Sequence, residues 1–516
     1  MAGKRLTPLS KILIVAAIIG GVYYLLNMLR DPEVKEKINE VTSKASSSKT
    51  KDGYNDVLNI GVVTWGGYAG GQYFNEGFKA NTESRFYKDY GFKVNFKVID
   101  DFDASRDAFK NGDIDLMWAT IDAFPTEVAG LAQYQPQVVF QADWSRGGDA
   151  IVARRGISRV SDLKGKKIAV APMTPSHSFL IWLLEAGDLT PKDVSIVEVP
   201  SAIDAADAFK SGTVDAAVVW SPDDADCVSK VAGSRVLEST KNATHIIADV
   251  FVAKKEFVET HKDQLRDLYE GWMIGASELN ASDSNKRKAA KILAEGLSQP
   301  EDFCYDAINN VRLATHGDNE NFFGLNQGYK GVTGEDLYNK MKVKYNDLGY
   351  STSGAKSWRL LSTKDLVTKT TSLTGANHTP EKQKEFTAVK PELVDKESLS
   401  SKKVSISFNT GEYKLGENAK QLIDIQFTSI ARAFANARIR IEGNTDNVGN
   451  RNSNIALSKK RAQAVADYLI SEHSMPKNRF IIIGNGPDKP VPGCERNQNA
   501  DCKAKNRRTD FELVVD

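Results

Sequence analysis

Two segments one hundred residues apart read almost alike: Ala108–Thr120 is AFKNGDIDLMWAT and Ala208–Trp220 is AFKSGTVDAAVVW. Each closes a helical stretch (104–111 and 203–211), turns, and enters an apolar strand (114–120 and 214–220). A chain that writes one α/β unit twice is expected to build two lobes alike, and this constrains the fold more than any composition figure. The rest of the centre alternates in the same manner. Leu58–Trp65 is a short apolar run ending in Gly-Gly, and Phe92–Ile99 alternates as a strand. Asp149–Arg154 and Asp162–Val170 restart the pattern, followed by a helix from Ser176 and a strand Val194–Val199. Long helices are expected around Lys254–Leu279 and Ser284–Leu297.

The phrases DLKGKKIAV, SFLIWLLEAGDLTPKDVSIVEVP and VVTWGGYAGGQYFNEGF resemble the periplasmic ABC-type solute-binding proteins of the nitrate/sulfonate/taurine and thiamine-precursor type. The resemblance covers residues 57–361 and implies a two-lobed periplasmic-binding-protein fold, with ligand held between the lobes at strand ends and helix N-termini. Carried over residue by residue, it puts Trp65, Gly66, Gly67, Tyr68, Thr120 and Asp122 on one wall of the cleft. Thr174, Ser176, His177, Trp220 and Asp223 form the other. A helix start with Thr174 and Ser176 suits an anion. Asp122, Asp223 and Asp224 would repel one, while Trp65, Tyr68 and Trp220 suit a cation. An amine-bearing or zwitterionic solute fits both halves. Trp118 and Trp182 sit in apolar patterns and read as core. Ser176 also reads as a helix cap, and His177 as a cleft or capping residue rather than a base.

Near the C-terminus, Gly443-Asn-Thr-Asp-Asn-Val-Gly449 precedes a helix on which Asn454, Leu457, Arg461, Ala464 or Val465, and Tyr468 share a face. An arginine on an apolar stripe needs an anion, because an unpaired buried charge is expensive. Asp446 is placed to pair with it, or the two charges could hold opposite ends of a zwitterion. GNTDNVG, NIALSKKRAQAVADYL, GNGPDKP and the terminal Asn506-Arg507-Arg508, in this order, resemble the OmpA-like peptidoglycan-binding domain. The resemblance implies a small α/β domain over 403–516 that clamps the diaminopimelate residue of the peptidoglycan stem peptide. It assigns Asp446 to the ammonium and Arg461 to the carboxylate, with Thr445, Asn454 and Arg508 beside them. Asn444 stands where the family often has histidine.

Ile12–Leu29 holds eighteen residues without a formal charge, behind Lys4, Arg5 and Lys11. It reads as a single-pass inner-membrane helix with residues 1–11 in the cytoplasm and the bulk in the periplasm of a Gram-negative-type envelope. A cleaved signal peptide is the competing reading. Residues 30–56 and 362–402 are polar and read as linkers. Cys494 and Cys502 bracket a short polar loop and are expected to pair in an oxidising compartment, whereas Cys227 and Cys304 can pair or stay free. The six histidines are scattered without metal-ligand spacing, and 68 basic against 67 acidic residues give no basic block for nucleic acid. No nucleophile elbow, phosphate loop or metal motif appears, so no cofactor and no enzyme are expected. The functional expectation is an anchored solute receptor tethered to peptidoglycan, with a possible membrane-protein partner. The alternative is a scaffold or stator-like component whose binding-protein fold recruits proteins.

Overall fold

The duplicated segment folds twice in the same way, for identifiable reasons. The helices Phe102–Asn111 and Ala202–Ser211 are capped by Asp101 and Ser201, whose side chains accept the Ala104 and Asp204 N–H. Both end on a glycine in the left-handed region, Gly112 (φ 82°) and Gly212 (φ 88°). Three residues later, Asp115 and Asp215 each accept a backbone N–H at the start of the neighbouring parallel strand, from Asn59 and Lys167, both at 2.8 Å. The aspartate common to both phrases therefore sets strand register in each lobe.

The computed structural model describes residues 51, 53–406, 408 and 411–516. Its strands are β1 (Val57–Val62), β2 (Lys93–Val98), β3 (Leu116–Thr120), β4 (Pro136–Ser145), β5 (Asp149–Ala153), β6 (Lys167–Val170), β7 (Ser195–Glu198), β8 (Ala216–Trp220), β9 (Arg235–Ser239), β10 (Ala248–Lys254), β11 (Val311–Leu313), β12 (Ser400–Val404), β13 (Arg438–Asn444), β14 (Phe480–Gly486) and β15 (Thr509–Val514). They form three sheets, ordered β11-β4-β10-β3-β1-β2, β7-β6-β8-β5-β9 and β12-β15-β13-β14. In the first two, parallel β-α-β pairs meet one internal antiparallel strand, β10 against β3 and β5 against β8. The chain crosses between these lobes at 146–148 and returns at 240–247. The crossings are tied together: Thr240 Oγ1 accepts the Gly147 N–H at 2.7 Å, and Arg146 donates to the Thr244 carbonyl.

Aromatic packing fills the first lobe, with the Trp272 ring on Phe251 (4.8 Å between centroids) and on Phe140 (5.3 Å). Small and branched side chains around Phe209 fill the second, with Cys227 among them as a buried free thiol. Cys304 is likewise free and buried, so the two do not pair. The long helix expected around Lys254–Leu279 begins only where β10 ends at Lys254, and it is two, Lys255–Thr260 and Lys262–Ala281, parted at His261, whose backbone (φ −120°, ψ 34°) is not helical.

The stretch 362–402, expected as a free tether, is packed down. It carries apolar side chains at intervals, and Leu366, Val367, Leu373, Phe386, Leu393 and Leu399 are buried. Its end, Ser400–Val404, is already the edge strand of the third sheet, paired antiparallel with β15. Residues 57–516 accordingly form one compact unit. The expected cytoplasmic stretch 1–11, span 12–29 and nearly all of linker 30–56 lie outside the described residues. Among the described residues no helix is long and apolar enough to cross a membrane.

Candidate functional site

Strand register builds the cleft between the lobes. Trp220 ends β8 opposite Asp149, the first residue of β5, and Thr120 ends β3 opposite Asp249 on β10. Both expected wall residues thus bring a carboxylate with them. Trp65, Phe102, Trp118 and Trp220 supply aromatic surface, with Phe102 stacked on Trp220 and edge-on to Trp118. Val63, Thr64, Pro175 and Ile247 complete a space of about 390 Å³ between atoms, part of it open to solvent. None of the lining residues is a lysine, arginine or histidine. Arg106, stacked over the Trp118 ring at 4.6 Å, is held by a bidentate pair with Glu127 at 2.6 and 3.0 Å.

The carboxylates are unusual in their burial. Burial pushes the Asp149 carboxyl up to about 7, against the Ser145 hydroxyl and the Trp220 indole, which favour its charged form. Asp249 and Asp143 face each other across β10 and β4; burial first, and then the neighbouring carboxylates, push both upward. Tyr68 donates its hydroxyl to Asp249 (2.6 Å) and Trp65 its indole N–H to Asp143 (2.7 Å). Gly67 makes this possible: a Cβ there would lie 1.2 Å from Asp143 Oδ2.

Of the expected solute-site residues, Trp65, Thr120 and Trp220 line the cleft. Tyr68 is fully buried behind it, and Gly66 packs on the backbone of Ala307. Asp122 is buried in the neighbourhood of Ser178, and burial raises its carboxyl well above the usual range. His177 accepts the Met173 N–H on Nδ1 (3.2 Å) between Tyr345 and Tyr350, and burial lowers it to about 4, so the ring is neutral. Thr174 donates to the Ala171 carbonyl, and Ser176 Oγ is buried without a hydrogen-bond partner in the first turn of the helix Pro175–Ala186. Asp223 opens the helix Asp223–Lys230 and does not line the cleft. Phe102, Asp149 and Asp249 are not among the expected residues; the two acids enter as ladder partners of Trp220 and Thr120, which the residue order does not show. Trp118, expected as core, is buried but also lines the cleft.

The second site lies at the start of the helix Arg451–His473, capped by Asn450, which accepts the Asn452 and Ser453 N–H. The helix lies close on its sheet because a Cβ on Gly443 would stand 2.2 Å from the Ser458 carbonyl, while Ser458 Oγ accepts the Gly486 N–H at 2.9 Å. Its buried face therefore runs through Ser458, Arg461, Ala462, Val465, Ala466 and Leu469, while Leu457 and Tyr468, expected inward, are half-buried. Asp446 accepts from Arg507 at 2.7 Å and from the Val448 N–H at 3.1 Å. Arg461 donates to the Glu412 carbonyl at 3.0 Å and stacks over Phe408 at 4.7 Å. Burial first and the Arg507 charge second lower the Arg461 guanidinium from its usual value, with Asp446 acting the other way. Two arginines thus share the surroundings of one carboxylate. Asn454 holds the loop through the Val448 carbonyl, and Thr445 bonds the Asp446 and Gly486 carbonyls. Arg508 pairs with Asp510 at 2.9 Å, so its neighbour Arg507 is the one at Asp446. Cys494 and Cys502 form a disulfide with a Cα–Cα distance of 5.0 Å.

Residues 407–507 match the OmpA family. The C-terminal domain is an OmpA-family domain. Residues 75–294 match the NMT1-like family, and the region has that solute-binding fold. Over 191 residues the chain is 29% identical to the taurine-binding periplasmic protein of Escherichia coli (strain K12), covering 36% of this chain and 58% of that protein. Over 103 residues it is 37% identical to the peptidoglycan-associated lipoprotein of Rhizobium meliloti (strain 1021), covering 20% of this chain and 56% of that one. The chain thus spans a little over half the length of these curated relatives. Among solved structures, the periplasmic aliphatic sulphonate binding protein of Escherichia coli aligns over 61% of this chain and 100% of its own, at 18% identity and a TM-score of 0.47.

Proposed function

We propose that the protein is a solute receptor of the cell envelope, held to peptidoglycan by its OmpA-family domain and to the inner membrane by the apolar stretch 12–29. The solute is a small amine or zwitterion. The observation that carries this reading is the cleft wall: Asp149 and Asp249 among four aromatic rings, with no cationic side chain to receive an anion. A protonated amine would supply the missing charge, drawing on carboxylate and ring faces together. Pro175, which lines the cleft, opens the helix Pro175–Ala186, and that helix start offers a place for the anionic half of a zwitterion. At the other end, Asp446, Arg461 and Arg507 present both signs of charge to an amino-acid-like group, which suits diaminopimelate.

The test is a thermal-shift screen of the full chain against amines, zwitterions, sulfonates and thiamine precursors. Stabilisation by an amine or zwitterion is expected, and a response confined to sulfonates would overturn the cleft assignment. Retention on purified peptidoglycan tests the wall site, and membrane fractionation of the full chain tests the anchor. One observation favours the scaffold reading. The C-terminal domain bonds directly to the return crossing, with the His245 N–H on the Ala433 carbonyl and Asn436 Nδ2 on the Lys241 carbonyl. A crossing held this way is suited to a lobe pair that does not close. No response to any solute, with retention on peptidoglycan intact, would select it.

A further inference from the structure

A second cavity, distinct from the interlobe cleft, lies where both crossings, the packed segment before β12 and the C-terminal domain come together. It encloses about 890 Å³ between atoms, part of it open to solvent. Six cationic side chains line it: Arg146, Lys330, Lys382, Lys384, Arg432 and Arg479. The acids on its wall are Asp318 and Glu381, and both are engaged. Asp318 pairs with Arg312 (3.1 Å) and accepts the Glu381 N–H (2.6 Å), while Glu381 pairs with Arg146 (2.6 Å). Lys384 is balanced by Asp516 at 3.2 Å.

Among the described residues, four of these cations have no carboxylate partner. Arg479 is fully buried and donates to the Ala437, Ala431 and Phe434 carbonyls, at 2.7–2.8 Å, and to Met475 Sδ at 3.8 Å, all of them neutral acceptors. Arg432 donates to His473 Nδ1 (3.0 Å) while His473 Nε2 contacts Asp424 (2.7 Å). As acceptor from Arg432, His473 Nδ1 is an uncharged partner, so the ring supplies no negative charge to the guanidinium. The Arg432 Nε is buried with no acceptor. Lys330 and Lys382 stand exposed and complete the set. Leaving such an excess of one sign in a recess focuses a positive potential inside it, and an unfilled buried guanidinium donor carries a desolvation cost that an oxyanion would remove.

We propose that this cavity is a second ligand site, for a small oxyanion of the phosphate or dicarboxylate class. Its walls belong to the crossings of the two-lobed region and to the OmpA-family domain, so the bound anion holds those parts together. The chemistry is opposite to that of the interlobe cleft, and the two sites take different ligands.

Calorimetric titration of the full chain with inorganic phosphate and, separately, with succinate distinguishes the two oxyanion classes. Saturable binding of one probe is expected, weakened at least about tenfold in Arg432→Gln by loss of a charge-assisted hydrogen bond. The double variant Lys330→Gln/Lys382→Gln changes exposed side chains alone, so it keeps the test decisive if Arg432→Gln fails to fold; a several-fold loss is expected there. Asp149→Asn in the cleft should leave oxyanion binding unchanged. No heat with either probe, wild-type affinity in the charge variants, or loss of the signal in Asp149→Asn would each overturn the proposal. None of these outcomes bears on whether the cleft takes an amine.

Discussion

In the interlobe cleft, Asp149 and Asp249 stand among aromatic rings with no cation on the wall, whereas at the start of the helix Arg451–His473 two arginines close on one carboxylate. The cleft leaves its carboxylates without a cation on the wall, and burial favours their neutral form, raising Asp149 to about 7. The OmpA-family site meets its charge internally, through the Asp446–Arg507 pair, half-exposed on the arginine side. On the proposed reading, a ligand for the first brings a positive charge. A ligand for the second must exchange one ion pair for two.

The largest effect should break the second half of that comparison. Arg461→Ala and Asp446→Ala are each expected to reduce retention on purified peptidoglycan to background, with the domain still folded by circular dichroism. Arg507→Ala should cost less, because it frees Asp446 for an ammonium while removing one of two guanidinium groups. Equal loss in all three variants would show that the two arginines act as a unit; full retention in Arg461→Ala would remove the clamp.

The cleft is tested by pH. Asp149 has its folded value raised from 3.8 to about 7, so the folded chain binds the extra proton between those values. Its contribution therefore favours folding at low pH and is lost as pH rises toward 7, by roughly 4 kcal/mol at most. Thermal unfolding from pH 5 to pH 8 should show wild type losing stability relative to Asp149→Asn, which has no proton to lose. Binding of the best amine from the screen should run the other way. Proton and amine compete for the same carboxylate, so affinity should rise about tenfold per pH unit below 7 and level off above it. An affinity independent of pH would separate the amine from Asp149.

Close packing sets the next scale. Gly443→Ala puts a methyl 2.2 Å from the Ser458 carbonyl, backbone against backbone, and should destabilise the OmpA-family domain by about 1–3 kcal/mol through overpacking. Urea unfolding of that domain, with amine binding in the cleft unchanged, is the readout. A neutral result would mean that the helix can lift from β13 without loss.

Much of this was legible from residue order because local signals carried it. The repeated phrase marks both β-α-β units, since a capped helix, a turn glycine and an apolar strand are all short-range features. Thr120 and Trp220 end β3 and β8, Trp65 lies in the loop after β1, and all three could be placed on the cleft from the resemblance to the solute-binding proteins. Asp149 and Asp249 could not, because they enter through antiparallel pairing of β5 and β10, a long-range choice that no local period records. The inward set on the C-terminal helix slid from Leu457 and Tyr468 to Ser458 and Leu469 because glycines in β13 and β14 draw the helix in along a seam of small residues. The stretch 362–402 reads as polar because its buried apolar residues, the pair Leu366–Val367 and then Leu373, Phe386, Leu393 and Leu399, are spread too thinly to show a helical or strand period. Arg507 and Arg508 are adjacent and chemically alike; only the direction in which β15 begins decides which one meets Asp446.

The smallest expected effect bears on that last point. The Cys494–Cys502 bridge closes a nine-residue segment, for which chain-entropy reasoning gives about 2–3 kcal/mol. Asn506 binds into the bridged loop, donating to the Cys494 carbonyl (2.9 Å) and accepting the Val491 N–H (2.7 Å), and Arg507 follows it directly. The bridge therefore steadies the residue that occupies Asp446, without touching either group itself. Reduction, or Cys494→Ser/Cys502→Ser, should lower the stability of the OmpA-family domain by that amount and change peptidoglycan retention only a few-fold. Amine binding in the cleft should not move at all. A loss of retention as large as that of Arg461→Ala would mean that the position of Arg507, rather than the Asp446–Arg461 arrangement, controls the wall site.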